Sequence, residues 1–247
     1  MDKIKIIKAI TGDYYLKEER NARIRDSKLN KLVYYDGHIE LVNDTIDEIT
    51  LYGKNPSGGG IYSMNDLLHR GLEISNSTIK EITMIDDCRL RLGNLARVDN
   101  LICNQSFAEA AIHGEAHVGR LIVEHGGAMS ARHGQIDNAE VQRGGKLHIA
   151  ERAVISHCAV SPTGEVRVGY RLGSVQSVPV IHHLTLYADS ILNIKGDVAI
   201  GELEVLCNAK IQRQFIATVF IGKLIENGHP VSDVTYWLHK HSVDAIP

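Results

Sequence analysis

The sequence has few aromatic residues and few prolines. Aromatic residues make up 5% of the 247 residues and prolines number five, although 44% of the chain is hydrophobic and 22 residues are glycine. A hydrophobic core with so few large rings suits a narrow interior built from Val, Ile, Leu and Ala. Many glycines with few prolines indicate numerous tight turns rather than a disordered linker. The composition therefore favours a fold with many short elements.

The sequence also lacks a basic surface, a membrane segment and a cysteine framework. Its net charge is −3, which is too acidic to follow a nucleic-acid backbone. No stretch approaches the roughly 18 apolar residues of a membrane helix, and the N-terminus lacks the apolar run of a signal peptide. We therefore expect no metal, no cofactor, no nucleic-acid or membrane partner, and a location in the cytoplasm or in a virion. No zinc-ligand spacing is present, so free thiols are expected at Cys88, Cys103, Cys158 and Cys207.

The dominant positive feature is a repeat of about 20 residues. From Ile136 to Ile149, apolar residues stand at offsets 0, 3, 5, 11 and 13, and a Gly-Gly pair separates the two apolar clusters. The copies that begin at Val118 and Ile155 keep these offsets, with glycine again in the turn. Alternation within each cluster predicts short strands. A fixed period of this length is typical of a solenoid.

The same pattern can be followed over most of the chain. Two insertions interrupt it, at residues 52–70 and 169–179. Stacked copies would bury their apolar residues in ladders, so we predict about ten parallel coils, mostly of 18–21 residues. The copies open at Leu29, Ile46, Ile79, Val98, Val118, Ile136, Ile155, Ile181, Ile200 and Ile221.

The repeat predicts an all-β, single-stranded parallel β-helix over residues 29–228. A left-handed hexapeptide coil would place an apolar residue at every sixth position, which these offsets do not match, so a right-handed coil is favoured. Residues 1–28 do not fit the repeat and are interpreted as an N-terminal cap, because solenoid ends need a covering element. Residues 229–247 are interpreted as a C-terminal helical cap, with Val234, Trp237 and Leu238 at helical spacing.

Two segments of the repeat resemble a known family. Val123-Glu-His-Gly-Gly-Ala and Val141-Gln-Arg-Gly-Gly-Lys are similar to the Gly-Gly repeats of AIDA-type autotransporter passengers. Those passengers are β-helical stalks of bacterial surface adhesins. The resemblance covers roughly residues 118–168 and implies the coil architecture alone.

Parallel β-helices also serve as scaffolds for glycoside-cleaving enzymes, which need two carboxylates across one cleft. A groove for a carbohydrate-binding or carbohydrate-active protein would involve the outward positions Asp99, Arg120 and Asp137. A second polar cluster is expected beside Glu202, formed by His157, His182 and His183. It has no activated nucleophile and is interpreted as a binding surface. The sequence therefore favours a non-enzymatic protein, with a carbohydrate-directed β-helix as the alternative.

Solenoids commonly carry function on loops that project from the coils. The second insertion has a composition typical of interface anchors, namely Tyr170, Arg171 and Leu172. The first insertion offers Tyr62 and Met64 for the same purpose. We therefore expect a module of bacterial or phage origin that binds another protein, as an inhibitor or an assembly component.

Outward-facing isoleucines are expected in two adjacent coils. Ile102 and Ile122 both stand at offset 4 of the repeat, between the buried offsets 3 and 5. Exposed apolar residues that are neighbours on a sheet often mark an interface. This pair predicts a homodimer or a homotrimer.

Overall fold

The computed structural model describes residues 5–8, 11–16, 21–34, 38–52, 71–85, 88–104, 106–107, 109–112, 115–170, 178–214 and 217–244. In this part of the chain, parallel strands stack into a β-solenoid of about nine turns, close to the predicted number of coils. The strands form three sheets, which we call the long, N-terminal and C-terminal sheets. One helix, α1 (Val234–His241), lies near the end of the chain.

The long sheet receives the first cluster of every coil. Its strands, in spatial order, are β2 (Thr11–Leu16), β4 (Lys28–Tyr34), β6 (Thr45–Tyr52), β8 (Thr78–Ile85), β10 (Arg97–Asn104), β13 (His117–Val123), β15 (Gln135–Val141), β17 (Val154–Val160), β19 (Val180–Leu186), β21 (Val198–Val205), β23 (Val219–Glu226) and β24 (His229–Pro230).

The register of this sheet agrees with the repeat at every copy. Val98 pairs with Val118, and Val118 pairs with Ile136. The pairing of Ile155 with Ile181 crosses the second insertion without losing the register. The predicted ladder of opening positions from Leu29 to Ile221 is therefore confirmed.

Each strand of the long sheet directs offsets 0, 3 and 5 into the core. In β15, Ile136, Ala139 and Val141 are all buried. Asp137 and Asn138 lie between the first two of these and are not buried. Because two consecutive residues face outward, strict alternation is broken once in this strand. The outer face therefore has two adjacent outward positions, at offsets 1 and 2.

The second clusters of the coils are divided between two sheets. The N-terminal sheet contains β1 (Lys5–Lys8), β3 (Asn21–Arg25), β5 (His38–Val42), β7 (Gly71–Ser75), β9 (Arg89–Leu92) and β12 (Glu109–Ile112). The C-terminal sheet contains β11 (Ser106–Phe107), β14 (Gly127–Ala131), β16 (Lys146–Ala150), β18 (Glu165–Tyr170), β20 (Ile191–Ile194), β22 (Lys210–Arg213) and β25 (Ser242–Asp244). The coil that follows β10 contributes to both, because β11 pairs with β14 and β12 pairs with β9.

The two glycines of the Gly-Gly turns have different structural roles. Gly126 and Gly144 have φ of 78° and 73°, a left-handed conformation that glycine adopts without strain. A Cβ on Gly127 would lie 2.8 Å from the backbone oxygen of Cys103, and one on Gly145 would meet the preceding coil at 2.7 Å. The first glycine therefore makes the turn, and the second lets adjacent coils approach.

The N-terminal segment continues the solenoid. β1 pairs with β3 and β2 pairs with β4, both in parallel. The predicted cap over residues 1–28 is therefore wrong for the described part of this segment. The sequence pattern misses the coil because its opening position, opposite Leu29, is occupied by Gly12, where the register also shifts.

The C-terminal end is closed by the predicted helix. Trp237 and Leu238 of α1 are buried against the last coil. The side chain of Asp233 caps the helix by accepting a hydrogen bond from the Tyr236 backbone N–H at 2.8 Å. β24 pairs antiparallel with β23, and β25 adds a strand to the C-terminal sheet after the helix. The sequence pattern predicted the helix but not these two strands.

Candidate functional site

The outer face of the long sheet carries a polar ladder at offset 2. Ion pairs stand at both ends of this ladder: Lys31 to Glu48 at 2.7 Å and Lys223 to Glu202 at 3.1 Å. The full ladder reads Lys31, Glu48, Glu81, Asn100, Arg120, Asn138, His157, His183, Glu202 and Lys223. Charges of both signs follow one another, so the face has no single-sign field.

Two of the three predicted histidines come together in this ladder. The rings of His157 and His183 are stacked, with centroids 4.9 Å apart and planes within 6° of each other. Both side chains are exposed, and Glu202 follows His183 in the next coil. His182 occupies offset 1 and lines a groove beside the ladder. The predicted cluster is therefore a stacked pair with His182 to one side.

The groove lies where the turns that leave the C-terminal sheet meet the start of the long sheet. Its volume is about 790 Å³. Residues at three positions of the repeat contribute most of its walls. These positions are three residues before, one residue before and one residue after the opening position. The lining residues are Glu115, Ala116, His117, His133, Gly134, Gln135, Arg152, Val154, Ser156 and His182.

Two histidines of the groove are held by carboxylates of the following coil. The Nε2 atom of His117 lies 2.9 Å from Asp137, and Nε2 of His133 lies 2.5 Å from Glu151. These carboxylates fix the imidazole rings and are occupied by them. His113, which precedes His133 by one coil, lies outside the described residues.

Two of the three residues predicted for a carbohydrate-cleaving groove, Arg120 and Asp137, are engaged in ion pairs. Asp137 contacts His117 as described, and Arg120 donates to Glu140 from Nε at 3.2 Å and from Nη2 at 2.8 Å. Gly119 separates Asp99 from Asp137, and its backbone lies close to Asp99. The geometry therefore favours cross-coil ion pairs over a pair of carboxylates that act on one glycosidic bond.

The predicted isoleucine pair belongs to a longer stripe. Ile102 pairs with Ile122 in adjacent strands, and both side chains are partly exposed. Toward the N-terminus the same outward position continues in register. We call these six residues the isoleucine stripe: Tyr15, Val33, Thr50, Thr83, Ile102 and Ile122. Val33 and Thr50 are buried, whereas Tyr15 is 55% exposed.

A second outward apolar ladder was not predicted. It contains Val154, Val180, Ala199 and Phe220 in four successive strands. The Phe220 side chain is 66% exposed. These residues stand one position before the opening of each copy, outside the apolar offsets that define the repeat. An outward apolar run that ends in an exposed aromatic residue would have been the signal to look for.

A polar cluster on the C-terminal sheet contains His148, Glu165 and Arg167. Burial lowers the pKa of His148, and the nearby charges of Arg167 and Arg132 lower it further. Burial also opposes ionisation of Glu165, but hydrogen bonds from Arg167 at 2.6 and 3.2 Å leave the pKa of Glu165 below its usual value. Arg167 and Glu165 therefore stabilise each other as an ion pair.

Most of the predicted loop anchors lie outside the described residues. This applies to Tyr62, Met64, Arg171 and Leu172. The backbone of Tyr170 ends β18 and pairs opposite Ala150, where the register shifts. The structure therefore gives no position for these side chains, and their role stays a prediction.

Three cysteines are buried and Cys207 is exposed, all four as free thiols. Among the described ranges, no three His, Cys, Asp or Glu side chains are grouped as metal ligands. The described part of the chain also has no helix long and apolar enough to cross a membrane. No family model, no curated protein and no solved structure matches the chain.

Proposed function

We propose that the protein is a non-enzymatic binding module that contacts another protein through the outer face of the long sheet. The observation that carries this proposal is the continuity of that sheet. Eleven parallel strands, from β2 to β23, present one continuous face. The N-terminal and C-terminal sheets each cover only part of the rod. An uninterrupted face of this kind is how solenoids present extended binding surfaces.

The size of the face supports a protein partner. Strands about 4.8 Å apart give a length of about 50 Å, and a strand of seven residues gives a width of about 20 Å. The resulting area of about 1,000 Å² exceeds the roughly 800 Å² that each partner buries in a standard protein interface. A small ligand would use only a fraction of it.

The composition of the face also supports a protein partner. Two apolar ladders, the isoleucine stripe and the ladder that ends at Phe220, flank the polar ladder at offset 2. An apolar region next to a polar and charged one is the usual anatomy of an interface between proteins. The mixed charges of the polar ladder would fix the orientation of the partner rather than attract any polyanion or polycation.

The partner can be identified by site-specific photo-crosslinking in the cell that produces the protein. A photoreactive residue at Ile102 or Phe220 should give one discrete adduct, because both side chains face outward from the long sheet. The same residue at Leu95 or Tyr187, which are exposed in turns, serves as the control. An adduct at twice the 27.3 kDa chain mass would identify a second copy as the partner. Adducts from the turn positions alone would contradict the proposal.

The second insertion gives the proposal an independent test. Arg171 stands between Tyr170 and Leu172, a combination common at the energetic centre of interfaces. Arg171→Glu should weaken capture of the crosslinked partner at least tenfold and leave the melting temperature nearly unchanged. An unaltered complex would limit the interface to the sheet. We propose that the module acts as an inhibitor or an assembly component in a bacterial or phage-infected cell.

A further inference from the structure

The groove beside the polar ladder is rich in hydrogen-bond donors and poor in carboxylates. Six of its lining side chains can donate a hydrogen bond, namely His117, His133, Gln135, Arg152, Ser156 and His182. Two of them, His117 and His133, already contact carboxylates through Nε2. One lining side chain is a carboxylate, Glu115, which comes from the coil at the end of the groove. Asp137 and Glu151 approach the groove but are occupied by the histidines that they hold.

Ser156 and His182 are neighbours on paired strands, and Arg152 lines the same groove. Ser156 and His182 occupy the same position in the paired strands β17 and β19, so their backbones are about 4.8 Å apart. Arg152 lies in the turn that leads into β17 and is exposed. In the described part of the chain, neither Arg152 nor His182 has a side-chain hydrogen bond or ion pair. The guanidinium, the hydroxyl and the imidazole are therefore available to a ligand.

We infer that this groove binds a small ligand through an oxyanion, either a carboxylate or a phosphate, held by Arg152, Ser156 and His182. A guanidinium presents two parallel N–H donors that match two oxygens of such a group, and its charge strengthens both hydrogen bonds. The imidazole and the hydroxyl supply further donors on the neighbouring strands.

The rest of the groove fits the body of a polar small molecule. Its volume of about 790 Å³ is within the range of sites that enclose small molecules. Gln135 and the carboxylate-held His117 and His133 offer hydrogen bonds to hydroxyl groups farther along the groove. Val154 provides an apolar patch of wall. A monosaccharide that carries an acidic group has this combination of features.

Calorimetric titration with three sugars tests the inference. Glucuronate carries a carboxylate, glucose 6-phosphate carries a phosphate, and neutral glucose carries neither. We expect one or both acids to bind with a dissociation constant of about 1 mM or tighter, and glucose to bind at least about tenfold more weakly. The tighter of the two acids identifies the oxyanion that the groove prefers.

Variants locate the binding site. Arg152→Ala should weaken binding of the better acid about tenfold or more, because a charge-assisted pair is lost. Arg152→Lys should give an intermediate loss, because it keeps the charge without the paired donors. Arg143→Ala is the matched control, since Arg143 is also exposed in a turn but does not line the groove. Both positions are solvent-facing, so the fold is retained.

Four results would overturn the inference. The first is no heat of binding from either acid at about 10 mM. The second is equal affinity for neutral glucose, which would remove the oxyanion from recognition. The third is equal weakening by Arg143→Ala and Arg152→Ala. A short glutamate peptide that binds more tightly than both sugars would also overturn the small-molecule assignment. None of these results bears on the protein interface proposed above, because the crosslinking positions lie outside the groove.

Discussion

The buried carboxylate of Asp44 joins two coils through the backbone N–H of Ser27. Asp44 Oδ1 accepts this hydrogen bond at 2.8 Å, and Oδ2 accepts another from the backbone N–H of Val42 at 2.9 Å. The backbone N–H of Asp44 donates to Ser77 Oγ in the next coil at 3.0 Å. Asp44 is only 2% exposed, and its burial raises the pKa to about 6 despite the hydrogen bonds.

Asp44 should make the stability of the protein depend on pH. Its pKa is about 6 in the folded state, against 3.8 for an unperturbed aspartate, so between these values the folded protein binds more protons than the unfolded one. The contribution of Asp44 to stability is therefore fully present below pH 3.8 and is lost as the pH rises to about 6. At about 1.4 kcal/mol per pKa unit, the loss amounts to about 3 kcal/mol.

Urea unfolding at several pH values between 4 and 7 measures this effect. The free energy of unfolding of the native protein minus that of Asp44→Asn should fall by up to about 3 kcal/mol over the range. Asp189→Asn is the control, because Asp189 is exposed in the turn of a distant coil and does not act on Asp44. A difference that does not change with pH would mean that Asp44 is ionised equally in both states.

The two glycines of one turn should respond differently to substitution. Gly127→Ala places a Cβ 2.8 Å from a backbone oxygen of the preceding coil and should cost about 1–3 kcal/mol of unfolding free energy. Gly126→Asn should cost less than about 1 kcal/mol, because no atom lies within 4 Å and Asn208 holds a positive φ at the corresponding turn. Equal costs in urea unfolding would contradict these different structural roles.

One thiol should react much faster than the other three. Burial raises the pKa of Cys158 to about 12, and Cys88 and Cys103 are also buried, whereas Cys207 is exposed. A thiol-specific chromogenic reagent should therefore label about one cysteine per native chain rapidly. Cys207→Ser should abolish this fast phase without changing the total in denaturant. A fast phase that persists in the variant would show that a coil opens to expose its core.

The helical cap should contribute to stability through its buried face. Leu238→Ala removes a side chain that is 5% exposed and should cost about 2–5 kcal/mol. Tyr236→Ala in the same helix is the control, because Tyr236 is 64% exposed and should change stability by less than about 0.5 kcal/mol. Thermal unfolding of both variants provides the comparison. Equal melting temperatures for Leu238→Ala and the native chain would show that the coils are stable without α1.

The isoleucine stripe should determine the mass of the protein in solution if a second copy is its partner. Light scattering should then give two or three times 27.3 kDa for the native protein. Ile122→Lys should reduce it to that of one chain, because a charge in an apolar contact is costly when buried. Tyr187→Lys, in an exposed turn, should leave the mass unchanged. A native mass equal to that of one chain would mean that the stripe contacts a different protein.

The sequence by itself determined the coils and their register. Strand residues face in and out with a fixed period, so apolar residues at constant offsets specify which positions stack, and Val98, Val118 and Ile136 do stack. The helical spacing of Val234, Trp237 and Leu238 likewise located the cap helix. The first coil could not be recognised from the sequence because Gly12 replaces the apolar residue at its opening position.

The tertiary structure alone decided which sheet receives each second cluster and which outward residues meet. Offsets within one coil do not contain the turn geometry that sends β9 and β14 to different sheets. The pairing of His117 with Asp137 depends on which side chains adjacent coils bring together. The burial of Asp44 depends on how the coils pack around its turn. The repeat specifies what is common to every coil. A site arises where neighbouring coils differ, and the differing side chains come into contact only when the coils stack.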